Sequence, residues 1–264
     1  MLCEGMAIRS VSRLTGLDKN TIIRIVVEAG ESIERFSART ITSMEVKEVE
    51  CDEIWGFCYC KKRKQHSKDW GYKCGDIYTY LAIDRNTKLF LTYVHGKRYT
   101  ETGAYFMQKL KACTKGRFQL STDGWNAYEG LADLTWGGAI DYGQIVKIIA
   151  NPPGNSAAVR YSSGKIKGAK KRVCSGEPKW NRISTSFAER GNLTIRMGNR
   201  RMTRLTNAFS KKWENHEAMM ALFIGVYNFC KVHSTLKTTP AVAAGLTDHI
   251  WTVRGLLERA ASIQ

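Results

Sequence analysis

The sequence predicts an α/β protein, on three observations. Segments with period-two hydrophobic alternation begin at Glu48, an amphipathic helical stretch interrupts them after the third, and a helical pair precedes them all. The chain has 264 residues, which suits one to two domains and is ample to bury a core. Hydrophobic residues make up 43% and charged residues 25%, a globular balance that excludes disorder throughout. No apolar run approaches about 18 residues, so no membrane-spanning helix is expected. The opening MLCEGMAIRS lacks the long apolar segment of a secretory signal.

Residues 6–29 read as two short helices about a turn. Ile8, Val11 and Leu14 recur at helical spacing, Gly16 breaks the pattern, and Asp18 is placed to cap a second helix with Ile22, Ile23 and Val26 inward. This is the helix-turn-helix pattern, assigned to residues 1–38 as a DNA-binding domain. Lys19, Asn20, Thr21 and Arg24 fall on its outer face, within reach of phosphates or base edges. The alternative is an ordinary helical hairpin. Residues 30–45 read as a connecting helix or linker.

EVECDEIWGFCYC is a first strand, IYTYLAID a second and KLFLTYVHGK a third. TETGAYFMQKLKACT is a helix with Phe106 and Leu110 inward, FQLSTD a fourth strand ending at Asp123-Gly124, and QIVKIIA a fifth. Three meandering strands, a helix and a strand parallel to the first give the order of a ribonuclease-H-like core, assigned to residues 45–232. Residues 151–182 keep neither helical nor strand period. Over 155–182 there are eight Lys/Arg against one Glu, and the segment reads as a flexible basic insertion. Its Lys165, Lys167, Lys170, Lys171 and Arg172 are candidates to hold phosphates. From Ser184-Thr185-Ser186 a helical pattern resumes and carries Arg196, Arg200, Arg201 and Arg204; the apolar helix HEAMMALFIGVYNFC follows. A tail over 233–264 closes with a short helix from Ile250.

Lys and Arg number 41 against 24 Asp and Glu, a net charge of +17. Such an excess repels itself unless a polyanion is near, and neutralising phosphates releases counterions. Double-stranded DNA is therefore the first expected partner and an anionic membrane surface the second.

Within this basic chain three carboxylates stand out by position: Asp52 in the first strand, Asp123 at the end of the fourth, and Glu189 at the start of a basic helix. The first and fourth strands are neighbours in the proposed core, so the two aspartates project side by side and a later helix brings Glu189 across. Three converging carboxylates repel one another without cations. Hard divalent ions that prefer oxygen ligands are the natural occupants, here two Mg2+, with Mn2+ able to substitute. Two such metals serve in-line phosphoryl transfer. Each acid alone has a plainer role, as a turn former or a helix-dipole partner; the ordered set is the signal. Glu53 adjoins Asp52 but alternation sends it to the opposite face. The turn at IDRNT accounts for Asp84, while Asp141 stays open as an alternative. Asn192 and Arg196 share the helical face of Glu189, which would let one helix bind metal at one end and DNA phosphate at the other.

The blocks CDEIWGF, STDGWNAY and SFAERGNLTIRMGNRRMTRLTNAFSKKWENHE resemble the three catalytic blocks of insertion sequence 1 family transposases, and YNFCKVHSTLKTTPAVAAGL resembles a tail common among bacterial DDE transposases. The resemblance covers about residues 5–245. It implies a metal-dependent DDE transposase that binds element ends and cleaves and joins DNA, with Asp52, Asp123 and Glu189 as its acids and Arg196 helping to position DNA. It also implies a homodimer or higher oligomer, because two ends must be brought together, and a cytoplasmic, nucleoid-associated place in a prokaryote. Two departures stand out. Only Cys3 precedes the helix-turn-helix, where family members often carry a zinc-binding cysteine cluster, and residues 151–182 lengthen the spacing between the second and third acids. A domesticated or inactive transposase that binds DNA without catalysis is the first rival, and a hydrolytic nuclease the second. Cys58, Cys60 and Cys74 with His66 or Cys51 have irregular spacing, unlike the paired knuckles of a zinc site.

Overall fold

A computed structural model describes residues 1–61, 73–150, 165–204 and 206–263. The first helices are α1 (Ile8–Thr15) and α2 (Lys19–Thr40). Gly16 takes the left-handed conformation that ends α1, and the Asp18 side chain accepts the Asn20 N–H at 2.8 Å to start α2. The expected connecting segment is part of α2, which runs unbroken for 22 residues. It does so because Ile22, Val26, Gly30, Ile33 and Phe36 form one buried stripe.

The strands are β1 (Glu48–Cys58), β2 (Gly75–Asp84), β3 (Phe90–Gly96), β4 (Gln119–Asp123), β5 (Asp141–Ala150) and β6 (Lys165–Ser175). They form one sheet in the order β3-β2-β1-β4-β5-β6. β1, β2 and β3 pair antiparallel, β4 lies parallel to β1, and β5 parallel to β4. A separate two-residue parallel ladder joins Met44–Glu45 to Thr114–Lys115. The protein is thus mixed α/β, as expected.

Helix α3 (Thr100–Cys113) connects β3 to the parallel strand, with Phe106 and Leu110 buried as its pattern requires. A further helix, α4 (Ala127–Trp136), follows β4. Sequence patterning misses it because Gly130 interrupts the stretch and Leu134 lies exposed at 82%.

The basic segment after residue 151 departs from expectation over its described part. Residues 165–175 are not a flexible insertion but β6, antiparallel to β5 from Tyr142↔Ser175 to Ala150↔Lys165. An edge strand pairs one row of backbone groups with its neighbour and leaves the other to water, so its side chains can stay solvated and show no apolar alternation. Val146, Ile148 and Val173 are exposed on this hairpin accordingly. Residues 151–164 lie outside the described residues.

Helix α5 (Ser186–Gly198) carries the third acid, and α6 (Trp213–Phe229) is buried along almost its whole length. The long helical pattern from Phe187 stops at Gly198, so Arg200 and Arg201 fall in a short 3-10 turn and Arg204 beyond it. α7 (Pro240–Ala243) and α8 (Val253–Ala261) close the chain. Ile33 and Phe36 of α2 belong to the same apolar cluster as Leu81 and Phe90 of the sheet and Phe223 of α6. Among the described residues no helix is long and apolar enough to cross a membrane.

Candidate active site

The site forms where β1 and β4 part company. Their ladder ends at Glu50↔Ser121, so Asp52 and Asp123 each lie two residues further on, at the splaying end. Glu50 is buried and points to the face covered by α5. Its Oε2 accepts the N–H groups of Phe187 at 2.7 Å and Ala188 at 3.2 Å, capping the helix start. Burial pushes the Glu50 carboxyl upward, while those two bonds and Arg85 oppose the rise. Sequence reading missed this acid, although its place two residues before Asp52 puts it on the same strand face.

Anchored in this way, α5 presents Asn192 to Asp52, with Nδ2 donating to Oδ2 at 2.8 Å. Arg196, on the same helix, does not face outward. Its guanidinium donates to the Met202 carbonyl at 2.8 Å and the Trp55 carbonyl at 2.9 Å, tying α5 to the end of β1. Burial there, with Arg204 nearby, lowers its pKa to about 10.

One carboxylate oxygen from each of Asp52, Glu53 and Asp123 lies within 4.8 Å of the others. Glu53 does project to the other face, beside Tyr128 of α4, as alternation requires. Its carboxylate nonetheless reaches the cluster, and it shares the Arg98 cation with Asp123, which stands at a strand end. Burial, then the charges of Glu53 and Asp123, raises the Asp52 pKa to about 7. Burial, then Asp123, raises that of Glu53 to about 7. Arg98 bridges Glu53 at 3.2 Å and Asp123 at 3.4 Å, and its guanidinium lies 5.5 Å from the Trp125 ring centroid. Asp123 also accepts the Trp125 N–H at 3.0 Å, so a local turn fixes its rotamer.

Glu189 is near enough for its charge to raise Asp52, yet its carboxylate is engaged elsewhere. Oε1 accepts from Thr185 Oγ1 at 2.6 Å and from Lys147 of β5. Arg98 gives Glu53 and Asp123 a resident cation and Lys147 does so for Glu189, whereas no ion pair reaches Asp52 among the described residues. Neither base carries a motif signal; each becomes visible only when strands distant in sequence are placed side by side.

Hard divalent cations suit this donor set, which is all oxygen. Two side-chain oxygens of these residues, Glu53 Oε1 and Asn192 Oδ1, are buried with no well-formed hydrogen bond among the described residues.

The other nominated bases are scattered. Lys19, Asn20 and Arg24 are exposed on α2 and Thr21 is half-buried; Arg24 lies 3.9 Å from Glu28. Lys167 and Lys170 are exposed on β6, where Lys165 is its first residue. Lys171 donates to the Trp180 carbonyl, and Arg172 to Glu129 and Gln144. Arg200 and Arg204 are exposed, whereas Arg201 is half-buried. Asp141, the alternative acid, is bound by Arg117 at 2.6 Å, which holds its pKa low. The cysteines are all free. Cys60 and Cys74 place their sulfurs 3.6 Å apart, and His66 lies outside the described residues.

No family model matches the sequence, and no curated protein does. Among solved structures, the chain is similar to a piggyBac transposase in a synaptic complex with hairpin DNA, at 13% identity and a TM-score of 0.32. The alignment covers 82% of this chain and 52% of that one, so the chain spans about half the length of that transposase.

Proposed function

We propose that this chain is a DDE-type DNA transposase related to the insertion sequence 1 family, with a ribonuclease-H-like core and a helix-turn-helix that binds element ends. The observation that carries the reading is the convergence of Asp52 and Glu53 of β1 with Asp123 of β4 in a chain of net charge +17, with Glu189 of α5 near enough for its charge to act on Asp52. The strand order, with three antiparallel strands followed by two parallel ones, supports the core assignment.

In this reading Asp52, Asp123 and Glu189 hold two Mg2+ ions, with Mn2+ able to replace them. The bound cations would activate the attacking oxygen and stabilise the leaving one. Asn192 fixes the Asp52 rotamer, and Glu50 fixes the helix that carries Glu189. Arg98 and Lys147 neutralise the acids in the free protein and turn to DNA phosphates when a strand enters. Water first displaces a 3′-oxygen from phosphorus at the element end, and the freed 3′-OH then attacks a target-strand phosphorus and displaces that strand's own 3′-oxygen. The exposed bases of α2, β6 and the 200–204 turn hold the duplex, and a dimer or larger assembly of the chain joins two ends. The protein works on the nucleoid in a prokaryotic cytoplasm.

One observation favours a second ligand set. Glu53, not Glu189, lies within 4.8 Å of both aspartates. The test is a supercoiled plasmid carrying the flanking ends, incubated with Mg2+ or Mn2+ and with Asp52→Ala, Asp123→Ala, Glu189→Ala and Glu53→Ala. Losing a true ligand should slow cleavage by orders of magnitude while DNA binding persists. Cutting by Glu189→Ala and not by Glu53→Ala would select the second set. Wild-type protein that binds without cutting would be a DNA-binding relic, and cutting without joining would make it a nuclease.

A further inference from the structure

A cleft of about 640 Å³ lies between the N-terminal helices and the 199–219 segment. Five cations line it: Arg9, Lys19, Arg200, Arg201 and Lys211. No acid does among the described residues. Its apolar wall includes Ile8, Ile23, Ala208 and Met219, while Asn207 and Asn215 add amides. Phe209 is braced by Phe57, with ring centroids 4.6 Å apart, and the Lys211 ammonium lies 3.2 Å from its centroid.

We propose that this cleft is a binding site for a single nucleotide, with its phosphate between Arg201 and Lys211 and its base against the apolar wall. Size is the first argument. The volume falls within the roughly 300–1,000 Å³ typical of small-ligand sites, and one nucleotide fits where a duplex does not. Charge is the second. Arg201 is half-buried without a carboxylate partner among the described residues, and burial lowers its pKa. A partly desolvated guanidinium gains from a bound anion, and no described residue lining the cleft supplies one. Chemistry is the third. Cations beside an apolar wall match a ligand that is anionic at one end and planar and apolar at the other. The site is distinct from the acidic cluster. Phe57 stands five residues beyond Asp52 on β1, roughly 16 Å along the strand. The inference therefore does not depend on catalysis.

The nucleotide has two possible sources, a free mononucleotide or an unpaired residue of a DNA strand. Fluorescence anisotropy with a labelled oligothymidylate of about eight residues, competed by dTMP, separates them. Ala208→Trp fills the cleft without changing its charge. It should abolish oligothymidylate binding and leave affinity for a short duplex unchanged. Arg201→Gln and Lys211→Gln should each weaken oligothymidylate binding about tenfold, with melting curves to verify folding; Lys211 is exposed, so its variant keeps the test open if Arg201→Gln unfolds. Asp123→Asn should bind oligothymidylate as wild type does, whether or not the chain is a transposase. Competition by dTMP at concentrations matching the oligonucleotide assigns a free nucleotide, and its absence assigns a strand residue. The proposal is overturned if wild type binds neither probe, or if Ala208→Trp retains full oligothymidylate affinity.

Discussion

Replacing Asp123 by Asn should make the metal-free protein more stable at pH 8. The acidic cluster is held together against its own repulsion. Two unit charges 4.8 Å apart at an effective dielectric of 20 repel by about 3 kcal/mol, and Asp123 faces two of them. Against this, the Arg98–Asp123 pair is partly exposed, at 39% and 33%, and solvent screening holds its contribution to about 1 kcal/mol. The repulsion exceeds that ion pair, so the variant gains about 2 kcal/mol or more at pH 8, where Asp52 and Glu53, titrating near 7, are mostly ionised. The pH dependence follows from the raised carboxyls. Asp52 and Glu53 titrate near 7 in the folded chain, against 3.8 and 4.5 as ordinary values. Their contribution to stability is complete below about pH 4 and is lost as pH rises through 7. Removing the charge at position 123 lowers both pKa values, so the variant loses less, and the difference between the two proteins opens between about pH 5 and 8. The buried histidines His95 and His216, whose pKa values burial depresses, are common to both proteins and cancel. Urea titration at pH 5 and pH 8, with EDTA or with Mn2+, measures all of this. Saturating Mn2+ at a hundredfold its Kd should stabilise wild type by about 2.7 kcal/mol and the variant far less. A metal-free variant weaker than wild type at pH 8, or equal stabilisation of both by Mn2+, would refute the repulsive-cluster argument.

Other consequences are open to direct measurement. A methyl group at Gly30 would overlap the Ala218 carbonyl and lie 2.5 Å from its Cα, so Gly30→Ala should cost about 3 kcal/mol or more in chemical unfolding, against the usual gain for alanine in a helix. Arg196→Gln removes two charge-assisted bonds to carbonyls; it should lower stability by about 2 kcal/mol while the salt slope of duplex binding stays as it was. Lys167→Gln with Lys170→Gln, both at exposed positions, should reduce that slope by roughly 1.8 if each lysine meets a phosphate. An unchanged slope would remove β6 from the DNA path.

The strands, the α3 crossover and the buried α6 were legible because each writes its burial into its own periodicity. Asp18 as a cap was legible for the same reason: capping is local. What periodicity could not reveal are features set by a neighbour. β6 looks structureless because β5 supplies its hydrogen bonds while its side chains remain wet. Glu53 was set aside by strand alternation, which holds, yet its carboxylate comes within 4.8 Å of Asp123, a contact set by a strand distant in sequence. Arg196 and Asn192 were placed on the right helical face, but what that face meets was not written in α5. It meets β1, so one residue donates to backbone carbonyls and the other to an acid. The resemblance to insertion sequence transposases rests on the motifs themselves.

The 22 residues of α2 make a rod about 33 Å long. One end carries Lys19, Asn20 and Arg24 into solvent, and the other is clamped by Ile33 and Phe36 within the apolar cluster of the sheet. A reading head on a slack tether can sample many distances from the scissile bond; one that shares a rod with the core cannot. In the proposed transposase this helix would act as a ruler. Adding one residue to it would advance the outer face by about 1.5 Å and turn it by about 100°, so in that reading the spacing from a recognised sequence to the cut would be set in helical turns of protein.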